Sequence, residues 1–132
     1  MPRFRATGQS GTKLGRGHGT HSDGMRVHKI GNGGLTAEQA VAVDANIWID
    51  SLKMLEPEVF CILLGTNDYA RVVVPSQFKA YILELVERVL LAAPDADIML
   101  MSPGDNGLTG RAFELADYRD ALIELCLEQN LK

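Results

Sequence analysis

Val59-Phe60-Cys61-Ile62-Leu63-Leu64-Gly65-Thr66-Asn67-Asp68 is the stretch on which the reading of this chain turns. Val59 to Leu64 are six apolar residues in a row without alternation, which predicts a strand buried on both faces. Its carboxyl end runs into a polar loop, and that edge of an open α/β sheet is where such folds carry their chemistry. Gly65 supplies a backbone that can turn sharply or approach a ligand closely, while Asn67 and Asp68 offer an amide and a carboxylate at the strand's exit. Taken alone, Gly-Thr-Asn-Asp is also ordinary turn chemistry, so the flanking sequence decides its meaning.

Downstream, Pro75 opens a helix at a position where a missing N–H does no harm. Phe78, Ile82, Leu85, Val86, Val89 and Leu90 fall at steps of three and four along it, and Pro94 ends it. Ile98 to Met101 predict the next buried strand, with a loop from Ser102 to Gly107 at its exit. A third helix is expected to start near Thr109 or Gly110 and to bury Leu115, Tyr118, Leu122 and Leu125, with Cys126 beside them. Upstream, Thr36 and Gln39 form a capping-box signature. The helix they start carries Ala40, Val43, Ile47 and Leu52 on one face, widened by Val41, Trp48 and Ile49, and Pro57 stops it. Met25 to Ile30 alternate apolar and polar residues, which predicts a short strand ended by Gly31-Asn32-Gly33-Gly34. Residues 1–24 form a Gly-rich irregular segment without apolar periodicity, distinct from the domain expected over 25–132.

Strand, helix, strand, helix, strand, helix is the order of an α/β fold with right-handed crossovers and a parallel sheet covered on both faces. Three strands make a thin sheet with an open edge, and self-association through that edge is expected. The 132 residues carry a formal charge of −4, which argues against general affinity for nucleic acid or anionic membrane. Charge is uneven: Arg3, Arg5, Lys13, Arg16, Arg26 and Lys29 face only Asp23 in the first 29 residues. No window is long and apolar enough to span a membrane, and Met1 to Arg5 are not the start of a signal peptide. Two cysteines make no disulfide framework, and both Cys61 and Cys126 are read as small core residues.

His18 and His21 are spaced like metal ligands but have no Cys or acidic cluster with them, so no metal and no cofactor is expected. A nucleotide-binding domain is disfavoured because Gly31-Asn32-Gly33-Gly34 has neither Gly-x-Gly-x-x-Gly spacing nor a Walker lysine. In a parallel sheet the loops Gly31–Leu35, Gly65–Ala70 and Ser102–Gly107 should gather on one edge. Each is built from Gly, Asn, Asp, Ser or Thr, the equipment of an oxyanion hole made from backbone N–H groups and amides. The glycines before Thr36 also point toward a helix N-terminus, where negative charge is favoured.

At these residues the chain resembles a known family. Ile62 to Asp68 resembles the third conserved block of the SGNH (GDSL-like) hydrolases, whose Gly-x-Asn-Asp motif ends a central strand. Ile30-Gly31-Asn32-Gly33-Gly34-Leu35-Thr36, about thirty residues earlier, resembles the second block with its oxyanion glycine before a helix. The strand ending in Ser102-Pro103, followed by a helix with Tyr118, is also similar, so the likeness runs from Met25 to Lys132. It implies a three-layer, flavodoxin-like domain of an esterase cleaving acetyl or related esters, with a small-molecule or carbohydrate ester, such as a cell-wall polymer, as substrate. It implies Asn67 as a side-chain donor and Gly34 as a backbone donor to the oxyanion, with Gly33 in that role if the alignment moves by one, and Asp68 as a loop holder.

Two of the family's blocks have no counterpart: the Gly-Asp-Ser block with the nucleophile and the Asp-x-x-His block with the base. Ser10 has no apolar strand before it, and His18, His21 and His28 sit in no matching motif. The resemblance therefore implies a truncated domain, part of a longer protein. Some carbohydrate-active members carry an inserted β-domain between the first two blocks, and residues 1–24 would be its tail. The alternative is a non-catalytic structural or glycan-binding module that retains the fold.

Overall fold

A computed structural model describes residues 25–131, which form a mixed α/β arrangement of five helices and a two-stranded parallel sheet. In chain order the elements are α1 (Ala37–Ala42), α2 (Ala45–Leu55), β1 (Val59–Leu63), α3 (Thr66–Ala70), α4 (Pro75–Ala92), β2 (Asp97–Met101) and α5 (Leu115–Gln129). Strands β1 and β2 run side by side with Ile62 opposite Leu100, and α4 makes the crossover between them. Parallel pairing and the crossover helix were both expected from the periodicity, since parallel neighbours need a connection of this length.

Helix α4 is the hub. Proline occupies its first turn, and Phe78, Ile82, Leu85, Val86 and Val89 are buried along one side. It packs against α1, α2 and α5. Ile62 from β1, Ile98 from β2, Leu52 from α2, and Tyr118 and Leu125 from α5 complete the same core. At roughly 2 kcal/mol for each large apolar side chain fully removed from water, this cluster is the main source of stability.

Several expectations are corrected by the packing. Met25 to Ile30 do not form a strand; only Arg26 makes an isolated bridge, and the segment is largely exposed. Its alternation was real, but no described strand pairs along it. The sheet is covered on one face only among the described residues: Ile62 and Ile98 point into the core, while Cys61, Leu63, Met99 and Met101 are exposed, Leu63 by 59%. Successive strand residues point to opposite sides, and the helices that pack together lie on one of them. Cys61 is therefore not a core residue; its sulfur lies 4.0 Å from that of Met99 on the open face. Cys126 is half-buried, and burial pushes its thiol pKa up.

The helix expected from Thr36 onward is two. Thr36 caps α1 as the capping box predicted, its hydroxyl accepting from Gln39 N at 3.2 Å while its own N–H donates to Gln39 Oε1 at 3.0 Å. The chain then breaks at Val43, and Asp44 restarts it by accepting from Asn46 N at 2.8 Å. Val43 and Ile47 consequently turn out toward solvent, and of that predicted face Ala40 and Leu52 are buried. Helix α2 ends as expected before Pro57, with Glu56 in the left-handed conformation. Helix α5 begins at Leu115 instead of near Thr109, because Gly110 takes a positive φ and Glu114 forms its own capping box with Asp117.

The break between α1 and α2 frees carbonyls that need donors. Arg88, buried on α4, supplies them: its guanidinium donates to Val41 O and Val43 O at 2.9 Å each, and pairs with Glu84 at 2.7 Å. Arg88→Ala should therefore cost about 3 kcal/mol, because it removes charged hydrogen bonds to two part-buried carbonyls and the ion pair with Glu84. Arg88→Lys should recover only part of this, since an ammonium cannot reach both carbonyls in one plane. Urea unfolding of the three proteins measures both effects.

Candidate functional site

The carboxyl ends of β1 and β2 open on one edge, and three loops meet there through contacts that can be named. Gly65 takes φ +126°, and a Cβ there would lie 2.9 Å from Pro103 Cγ and 3.2 Å from Phe78 Cζ. Glycine is required both for the turn and for the approach of the loop after β2. The residues that follow, expected as loop, form the single helical turn α3, with Tyr69 N donating to Gly65 O at 2.8 Å. Tyr69 extends the link, its hydroxyl donating to Leu108 O at 2.9 Å.

Asn67 and Asp68 reach the other way, to the loop before α1. Asn67 Nδ2 donates to Leu35 O at 3.1 Å, which puts the amide beside the turn containing Gly34. Asp68 is fully buried, and both its carboxylate oxygens accept from Ala37 N, at 3.0 and 3.2 Å. The expectation that the N-terminus of the Thr36 helix favours negative charge is met from within: the charge is the side chain of Asp68. Burial raises the Asp68 pKa above the ordinary 3.8, with the Ala37 N–H opposing that shift. Tyr118 lies in the field of Asp68; its own pKa is raised, first by burial and then by that charge, and its hydroxyl donates to Val73 O. Val73 N in turn donates to the Asp68 backbone carbonyl at 2.9 Å. These two bonds hold Val72 at φ +58°, a conformation that costs a β-branched residue roughly 1–2 kcal/mol.

Gly34 sits at the tip of its turn with φ +81°, exposed, with nothing within 4 Å of where a Cβ would project. Gly33 has the same open surroundings. Asn67 is half-buried, with one of its two amide hydrogens directed at Leu35 O. Ser102 is exposed at the rim, near enough to Pro103 O for a 3.5 Å contact only. His28 is half-buried beside β1, away from these residues, and lines a cavity with Leu52 and Phe60. Ser10, His18 and His21, and the whole segment 1–24, lie outside the described residues. Among the described residues no three His, Cys, Asp or Glu side chains cluster as metal ligands, and no helix is long and apolar enough to cross a membrane.

Sequence reasoning missed Tyr69 as a residue that shapes the site and Arg88 as the one that holds the break between α1 and α2. Arg88 had a signal, a single cation inside an apolar helical face with Glu84 four residues before it. Tyr69 had none, because its partner is a backbone carbonyl in a loop. No family model matches the chain, and no curated protein matches it.

The raised pKa of Asp68 gives a signed expectation. An acid whose folded pKa lies above its unfolded one contributes stability at low pH that is lost as pH rises through the folded pKa. Asp68→Asn keeps an oxygen for Ala37 N but cannot ionise, so it should flatten that part of the stability curve above the ordinary carboxylate pKa of 3.8. Asp68→Ala should cost about 2 kcal/mol at low pH by orphaning the Ala37 N–H, and less as pH rises. Denaturant titrations across pH read both. Gly65→Ala, forced into a strained φ and against Pro103, should destabilise by roughly 3 kcal/mol in the same assay.

Proposed function

We propose that residues 25–131 belong to an ester-hydrolase domain of the SGNH type, with a flavodoxin-like sheet of which β1 and β2 are two strands. In this reading the Gly34 N–H and the Asn67 amide bind the oxyanion that forms when a serine attacks an ester carbonyl, and a histidine carries the proton. The substrate is an acetyl or similar small acyl ester, on a small molecule or a carbohydrate polymer. The nucleophile and base come from sequence beyond the described residues. One observation carries the reading: the hydrogen bond from Asn67 Nδ2 to Leu35 O, which joins the Gly-Thr-Asn-Asp loop to the glycine turn at the carboxyl edge of a parallel sheet. Both oxyanion donors are thereby on neighbouring loops held by the same contact.

That bond also favours a second reading. It engages part of the Asn67 amide in structure, as in a non-catalytic glycan-binding or structural module that keeps the fold without the reaction.

Hydrolysis of p-nitrophenyl acetate and butyrate separates the two. The 132-residue chain should show no turnover above background, and robust turnover abolished by Ser10→Ala would overturn the claim that the nucleophile lies elsewhere. In a protein extended through the neighbouring reading frame, Asn67→Ala should lower kcat about 100-fold with KM little changed, the loss expected for one oxyanion donor. An unchanged kcat would retire the oxyanion role.

A further inference from the structure

The chain places glycine after asparagine twice, at Asn32-Gly33 and at Asn106-Gly107. Such a pair reacts with itself where the backbone is free to move. The glycine nitrogen attacks the side-chain carbonyl carbon of asparagine as it gives up its proton, the bond from that carbon to the amide nitrogen breaks, and ammonia leaves. A succinimide ring remains, and water opens it at either carbonyl to give aspartate or an isoaspartyl linkage. Glycine permits the attack because it has no Cβ to block the approach and turns freely. Asn46, Asn67 and Asn130 precede Ile47, Asp68 and Leu131, whose side chains crowd the same approach.

The structure treats the two Asn-Gly pairs differently. At Asn106 both reacting groups are engaged: Gly107 N donates to the Asp105 carboxylate at 2.8 Å, and Asn106 Oδ1 accepts from Leu108 N at 3.1 Å. The nucleophile keeps its proton, and the side chain is held toward a different nitrogen. The Asp105 charge also opposes the negative charge that Gly107 N must take on to attack. At Asn32, by contrast, no hydrogen bond holds the side chain or Gly33 N among the described residues. Asn32 and Gly33 are exposed, and Gly31, Gly33 and Gly34 have nothing within 4 Å of where a Cβ would project, so the ring has room to form. Gly107 is equally open, so hydrogen bonding and not space separates the two sites.

We infer that Asn32 is a site of spontaneous deamidation and isoaspartate formation, and that Asp105 protects Asn106 from the same reaction. Either product puts a carboxylate on the turn of Gly34. The isoaspartyl form also adds a methylene to the main chain and carries Asn32 O, which accepts from Leu35 N at 3.3 Å, out of it. Leu35 is the residue whose carbonyl takes the Asn67 amide, so the change falls on the link between two loops of the rim. This inference stands whether or not the domain hydrolyses esters.

The test incubates the 132-residue chain at mildly alkaline pH and follows it by peptide mapping with electron-transfer fragmentation, which reads aspartate and isoaspartate separately at each position. Asn32 should convert at least roughly tenfold faster than Asn106, the ratio that one charged hydrogen bond on the attacking nitrogen is worth. In urea the two should convert at similar rates, since each precedes glycine. Asp105→Ala, at an exposed position where circular dichroism should stay unchanged, should raise the Asn106 rate by a similar factor and leave Asn32 as it was. Equal rates in the folded chain, an Asn106 that outpaces Asn32, or an Asn32 that stays intact while the urea sample converts would overturn the assignment. An Asn106 rate untouched by Asp105→Ala would overturn the protective role of Asp105.

Discussion

A buried carboxylate and a helix start with no acceptor are each costly alone, and the pairing of Asp68 with Ala37 satisfies the second and offsets part of the first. The arrangement joins the end of β1 to the beginning of α1 across 31 residues of sequence. It also fixes what stands next to it. Asn67 precedes Asp68 on the same short turn, so once the carboxylate is seated the amide has little choice but the Leu35 carbonyl. The neighbouring carbonyl of Asp68 holds Val73, whose own carbonyl takes the Tyr118 hydroxyl, so α5 is referred to the same point. An external anion has no vacancy at the start of α1, because the protein has placed its own there. In the reading proposed above, the oxyanion would instead use the turn at Gly34 and the second amide hydrogen of Asn67.

The body of the domain is arranged around α4 in the same economical way. Its apolar side serves the sheet, and its flanks take α1, α2 and α5, so that one helix supplies five of the fourteen buried residues of the common core, the largest share of any element among the described residues. A helix so placed would ordinarily be apolar all round where it meets its neighbours. Arg88 is the buried exception, and it is there because α1 and α2 meet at a break whose carbonyls require donors. The aromatic contacts of Tyr118 with Phe78 and Tyr69, at 5.4 and 6.0 Å between centroids, close the end of this core beneath the loops. The rim thus rests on rigid packing, while the opposite sheet face and the outer edge of β1 remain uncovered among the described residues.

Those two uncovered surfaces bear on the proposed chemistry. A site made of loops above a sheet depends on the sheet for its precision, and a two-stranded sheet is a narrow support. The apolar character of Cys61, Leu63, Met99 and Met101 is what a sheet face has when something lies over it. A domain completed at those surfaces would have both a stiffer rim and a place from which further reacting groups could enter.

Local patterns were legible in the sequence wherever the physics was local. The face of α4 could be read from steps of three and four, its start from Pro75, the start of α1 from Thr36 and Gln39, and the parallel pair from two apolar runs separated by a helix. Gly65 was legible as a turn because its residue type narrows the backbone options, whereas the Leu35 carbonyl that takes the Asn67 amide was not. Tertiary structure alone decided the rest. Apolar composition shows that a strand wants cover but not whether cover is present, so the exposure of Cys61 and Leu63 followed only from where the helices packed. A helical period running through Val43 hides a break when an arginine 45 residues away satisfies the freed carbonyl. The pairing of Asp68 with Ala37 is likewise between groups distant in the chain, and sequence spacing carries no information about such pairs until the fold brings them within 3 Å.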